Sequence, residues 1–130
     1  MQHWEAFSIS AEGITGDIDL SPSRIVFQNG AALELSYVGR ARGIFYNSPE
    51  DIAEIYRIVK PETPILLHGN PLCSEIPYYV AWAESSMKPL MEEWNALGLV
   101  IIKGREPPRA NMDPNRVCSS FGFTRVVGKH

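Results

Sequence analysis

The chain has 130 residues and a mass of 14.5 kDa, with 45% apolar and 21% charged residues. That is one domain spanning residues 1–130, apolar enough to bury a core without a metal cluster, and it excludes intrinsic disorder and fibrous repeats. A net charge of −3 argues against a nucleic-acid binder relying on phosphate contacts, and no apolar run approaches the roughly 18–20 residues of a membrane-spanning helix.

The first forty residues read as strands. Phe7, Ile9 and Ala11 alternate with Ser8 and Ser10, the period-2 pattern of a half-buried strand. Ile14, Ile18 and Leu20 follow, with Asp17 and Asp19 on the opposite face, before a turn at Ser21-Pro22-Ser23. Ile25-Val26-Phe27 runs into Asn29-Gly30, a strong hairpin signal because both residues tolerate positive φ. Leu33, Leu35 and Tyr37 alternate with Glu34 and Ser36 on the return, giving an antiparallel meander.

Ser48-Pro49-Glu50-Asp51 carries a cap residue, a proline at the first helical position and acids in the first turn. Ile52, Ile55 and Tyr56 then suit one face of a short helix, and Ile55 to Lys60 equally suits a strand entered from a helical turn; both readings stay open over Ser48–Tyr56. Strand-like runs return at Tyr78–Ala83 and Leu97–Ile102, with a helical turn expected from Pro89 to Asn95 between them. In the first run Tyr78 shares a face with Val80 and Trp82, Tyr79 goes with Ala81 and Ala83, and one set is expected to be less buried. A loop from Glu106-Pro107-Pro108 to near Val117 precedes a closing strand with Phe121 and Phe123 on one face. The reading is mainly β: a small antiparallel barrel or sandwich of six to eight strands, with one or two short helical turns and one disulfide.

That disulfide rests on Cys73 and Cys118, the two cysteines of the chain. Each stands beside turn-forming residues, which suits a covalent link between a loop and a strand; two unrelated buried thiols are the alternative. Two thiols cannot complete a structural zinc site. An even cysteine count in a small domain fits an oxidising compartment, periplasmic or secreted. Met1-Gln2-His3-Trp4 lacks the basic start and apolar segment of a signal peptide, so the expectation is a mature domain whose export signal has been removed.

Charge is unevenly placed. Residues 1–65 carry nine acids and five bases, and residues 66–130 six acids and seven bases. The acidic end either steers a cationic partner or neutralises the basic end within the fold, as first and last strands often pair.

Few residues suit catalysis. His3 and His130 lie near the termini; His68, five residues before Cys73, gives a conceivable Cys–His dyad, set against a loop histidine beside a disulfide. Glu12, Asp17 and Asp19 lack the ligand spacing of a calcium loop, and Glu92-Glu93 has no second carboxylate at a set distance. The expectation is therefore no enzyme, no cofactor and no metal. The thirteen aromatics say more. Trp4, Phe45, Tyr46 and Trp94 fall on an expected terminus or expected loops, where they either form a protein-binding patch or cap the ends of a barrel.

The stretch from Gly13-Ile14-Thr15-Gly16-Asp17-Ile18-Asp19-Leu20 through Ser21-Pro22-Ser23-Arg24-Ile25-Val26-Phe27-Gln28-Asn29-Gly30 is followed by Tyr56-Arg57-Ile58, Leu66-Leu67-His68-Gly69-Asn70-Pro71-Leu72-Cys73 and Cys118. This pattern of turns, glycines and cysteines, over roughly residues 13–123, resembles small exported β-proteins of the α-proteobacterial periplasm, a group that includes periplasmic inhibitors of lysozyme and other peptidoglycan hydrolases. The resemblance implies a cofactor-free domain that occludes a cationic cell-wall hydrolase. Inhibitors of c-type lysozyme insert a Ser-Gly-Ala-type segment into the enzyme cleft; none occurs here, so no inhibitory residue carries over. The residues expected to contact a partner are Asp17, Asp19 and Glu50 with the aromatics Tyr46 and Trp94. Other readings are a small-ligand-carrying barrel, and an immunity protein against a delivered toxin.

Overall fold

Eight antiparallel strands close into a barrel in the computed structural model, which describes residues 1–45, 50–86 and 94–126. They are β1 Gln2–Ala6, β2 Ile18–Ser21, β3 Arg24–Phe27, β4 Ala32–Arg42, β5 Ile52–Ile58, β6 Pro77–Ser86, β7 Trp94–Lys103 and β8 Val117–Val126. Each strand pairs with its neighbour in sequence, and β8 closes on β1 through Glu5↔Thr124 and Ala6↔Phe123.

Alternation decides the inner face. Ile18 and Leu20 on β2, Ile25 and Phe27 on β3, and Leu33 and Leu35 on β4 are buried, while their neighbours point out. Trp4, Tyr56, Val80, Trp82, Leu99 and Phe123 join them in one core cluster, so side chains fill the interior. A second apolar layer lies outside the barrel: Ala53 and Ile55 on β5, Tyr79 and Ala81 on β6, and Val100 and Ile102 on β7 are buried under Ile44, Phe45 and Met112 from the flanking loops. Three strands are thus covered on both faces, which is why β7 reads as an unbroken apolar run rather than an alternation.

The two ends differ. At one, the wide single turn Ala11–Thr15, closed by Gly16 N–H donating to the Ala11 carbonyl at 2.7 Å, buries Ala11 and Thr15 against the core. The loop between β5 and β6 lies over it: Leu66 and Leu72 are buried, and the Asn70 side chain donates to the Gly13 carbonyl at 3.3 Å. Cys73 is bonded to Cys118 on β8, with Cα atoms 5.6 Å apart, so a covalent link ties this plug to the wall. Toward the opposite end, where β2 turns into β3 at residues 22–23, the described residues leave a recess.

Several expectations are corrected. Phe7, Ile9 and Ala11 do not form a barrel strand: β1 ends at Ala6, an arm of Phe7 and Ser8 lies against β8 with both N–H groups donating to the Gly122 carbonyl, and the chain turns helical from Ile9. Phe7 and Ile9 are exposed, because only one side of that stretch meets protein. Trp4 is no terminal aromatic but a fully buried core residue of β1. The open choice over Ser48–Tyr56 resolves to strand from Ile52, where β-branched residues pair in the sheet; Ser48 and Pro49 lie outside the described residues. Of the helical turn expected at Pro89–Asn95, Trp94 and Asn95 are strand, and the rest lies outside the described residues. A bulge between Pro77 and Tyr79 turns Tyr78 out of the face of Val80 and Trp82, and it packs against the outer layer instead. Neither face of β6 is the exposed one. At the Asn29-Gly30 hairpin, Gly30 alone has positive φ (94°), while Asn29 braces the turn by accepting from Ala31 N–H.

Candidate functional site

A groove of about 710 Å³ lies on the outside of the barrel, above β6, β7 and β8. Two loops wall it. The segment after β4 carries Ile44 and Phe45, and the loop between β7 and β8 carries Pro114. They meet where Asn111 N–H donates to the Arg42 carbonyl at 3.2 Å. Gly43 makes that approach possible: its φ is 76°, and a Cβ there would fall 2.6 Å from the Asn111 nitrogen. Arg116 pins the second loop from below, donating to the carbonyls of Lys103, Gly104 and Glu106.

The floor is apolar and flat because its residues are small. Ala83 and Gly98 face each other across β6 and β7, and a Cβ at Gly98 would lie 3.7 Å from the Phe45 ring, in ordinary contact with it, so a larger side chain there would compete with Phe45 for the groove. Val100 and Val117 continue the floor. The polar groups are the Ser85 and Ser120 hydroxyls and the exposed Asp51 carboxylate, which has no hydrogen bond or ion pair among the described residues. An apolar trough with an unpaired carboxylate at its edge suits an apolar group carrying a nearby positive charge.

Asp17 and Asp19 lie elsewhere, on the outer face of β1 and β2, where they bracket His3. Asp19 accepts from His3 Nδ1 at 2.9 Å, and Asp17 Oδ2 lies 3.5 Å from Nε2. The hydrogen bond to Asp19 raises the His3 pKa above its ordinary 6.5, helped by the charges of Asp19 and Asp17 and opposed by partial burial. Asp17 also accepts from Ala6 N–H at 2.9 Å, so it is part of the fold as well as of the surface. Among the described residues no ion pair joins the acidic end of the chain to the basic end: β1 and β8 do pair, but Arg125 is ion-paired with Glu84 at 3.7 Å.

The expected contact residues therefore divide. Asp17 and Asp19 form one acidic patch; Glu50 is exposed beside Asp51 at the edge of the groove; Tyr46 lies outside the described residues. Trp94, half-buried, stands on the groove side of β7, four residues and so about 13 Å before Gly98. Phe45 was read from sequence as a loop aromatic for a binding patch or a barrel cap, whereas Asp51, Gly98 and the two serines were not singled out. Gly98 did carry a signal, since a lone glycine inside an apolar strand marks a place left open for something else. His68 is exposed in the turn Leu67–Gly69, and the Cys73 sulfur is engaged with Cys118, so it offers no thiolate.

Away from the plugged end of the barrel Tyr56 and Trp82 stack with ring centroids 4.0 Å apart and an interplanar angle of 15°. Around them Tyr37 donates to Glu54 at 2.7 Å and Arg40 pairs with Glu54 at 2.9 Å, while Asn95 donates to Glu84 at 2.6 Å. The Arg125 guanidinium lies 5.2 Å over the Trp4 ring, and Trp4 Nε1 and Arg125 Nε are buried without protein partners. Such orphaned donors are ordinarily met by ordered water.

Compared with known proteins, the chain matches no family model, no curated protein and no solved structure.

Proposed function

We propose that the chain is an exported binding domain that occludes a cationic protein partner, a lysozyme-like cell-wall hydrolase being the class implied by the sequence resemblance. The observation that carries this reading is the outer groove, with its apolar floor of Ala83, Gly98 and Val100 and, at its edge, Asp51, which is unpaired among the described residues. An extended partner segment seats an apolar side chain on the floor and a neighbouring lysine or arginine against Asp51, the arrangement of a buried anchor with a polar rim. The Asp17–Asp19 patch adds long-range attraction for a basic enzyme. The Cys73–Cys118 disulfide is compatible with an oxidising, exported compartment. An immunity protein against a delivered toxin follows the same physics with a different partner.

The test adds the protein to purified cell-wall hydrolases acting on a cell suspension and follows turbidity. The wild type slows lysis near stoichiometric ratio, and Gly98→Leu, which fills the groove from a position with ordinary backbone geometry, restores it. Undiminished lysis by every hydrolase at excess protein overturns the reading.

A further inference from the structure

Toward the end of the barrel where β2 turns into β3, the described residues form a second recess, of about 360 Å³, which the groove does not use. Its walls include Tyr56 and Trp82 with Leu20 and Pro22, and its polar side chains are Gln2 and Ser21. No lining side chain carries a formal charge. Tyr56 and Trp82 are 6% and 9% exposed, and among the described residues neither the phenol hydroxyl nor the indole N–H has a protein partner; neither atom is buried, so both donors are reachable from solvent. Burial, and secondarily the nearby Glu54 charge, raises the Tyr56 pKa above its ordinary 10.0, which keeps the hydroxyl a donor at neutral pH.

Two unmet donors beside apolar walls and neutral polar groups define what fits. A fully apolar ligand leaves both donors unpaired, and the lining side chains offer an ion no counter-charge, the α-ammonium of Met1 at the rim being the one formal charge there. A sugar ring meets each requirement: its oxygens accept from Tyr56 and Trp82, its hydroxyls exchange hydrogen bonds with Gln2 and Ser21, and its C–H face packs on aromatic and aliphatic carbon. The aromatic wall also continues outward. Tyr37, 52% exposed, meets Tyr56 edge-on at 5.2 Å, and beside it Glu54 offers acceptor oxygens.

We propose that this recess is a binding site for a neutral sugar, with Tyr56 and Trp82 donating to its oxygens and Tyr37 placed to contact an adjoining ring of an oligosaccharide. The site is separate from the outer groove and does not rest on the hydrolase reading.

The experiment titrates the isotopically labelled chain, with no hydrolase present, with β-1,4-linked N-acetylglucosamine trimer, free N-acetylglucosamine and glycerol, following the indole N–H resonances and tryptophan fluorescence. The expected result is a saturable shift of the Trp82 indole signal with the trimer or the monosaccharide and none with glycerol. Tyr56→Phe and Trp82→Phe each retain an aromatic ring and lose the donor; each weakens binding about fivefold to tenfold, the scale of one hydrogen bond. Unchanged spectra with both sugars, equal affinity in a folded Tyr56→Phe variant, or an equal response to glycerol overturns the proposal. Because the hydrolase assay reads a different surface, either result stands without the other.

Discussion

His3 Nδ1 lies 2.9 Å from Asp19 Oδ1, its rung partner across β1 and β2. A histidine with a higher pKa folded than unfolded stabilises the fold fully below its unfolded value, here 6.5, and loses that contribution as pH rises through the folded value. The melting temperature of the wild type relative to His3→Gln should therefore be higher at pH 6 and converge above neutrality. With the His3 side chain 58% exposed, the difference is less than about 1 kcal/mol. A gap that widens with rising pH contradicts the assignment.

The two aspartates should separate in their effects. Asp17 accepts the Ala6 N–H at the end of β1, so Asp17→Ala loses about 1 kcal/mol of stability along with its charge. Asp19→Asn keeps the shape of the strand and removes charge alone. If the acidic patch steers a cationic hydrolase, Asp19→Asn slows association several-fold at low salt and has little effect at high salt, with dissociation nearly unchanged. Stopped-flow binding over a salt series measures this.

Cys73 and Cys118 are 45 residues apart in sequence, and closing a loop of that length stabilises the fold by about 4 kcal/mol in the chain-entropy description. The double variant Cys73→Ala, Cys118→Ala should melt on the order of 10 °C lower. Because the bond anchors the plugged end, hydrogen exchange in the double variant should rise first at residues 63–73 and 11–15, ahead of β6 and β7.

Leu99 and Ile9 are both apolar, but Leu99 is fully buried in the barrel and Ile9 is 89% exposed. Leu99→Ala should cost about 2–5 kcal/mol in denaturant unfolding. Ile9→Ala should stay within about 0.5 kcal/mol. A large loss at Ile9 would place residues 7–11 in the barrel wall, as their alternation suggests.

That contrast marks how far the sequence reads. Phe7, Ser8, Ile9 and Ser10 alternate as well as Ile18, Asp19 and Leu20 do, yet only the second segment turns its apolar side chains to the core. The difference is where the barrel closes: β1 ends at Ala6, and the arm beyond it lies on β8 through Gly122 and Ser120, residues more than a hundred positions away. The candidate site was less legible still. Phe45 reads as a loop aromatic and Gly98 as a break in an apolar run, but the groove exists because Arg42 and Asn111 hold two distant loops together over the sheet.

The amino-acid order by itself determined a β-rich single domain, the inward faces of β2, β3 and β4, and the pairing available to its two cysteines, because these follow from side-chain alternation and composition. Closure of the barrel, its plugged end, the outer groove and the stacked Tyr56 and Trp82 were decided by the tertiary structure. Each depends on groups far apart in the chain meeting in space, and local periodicity carries no record of such encounters.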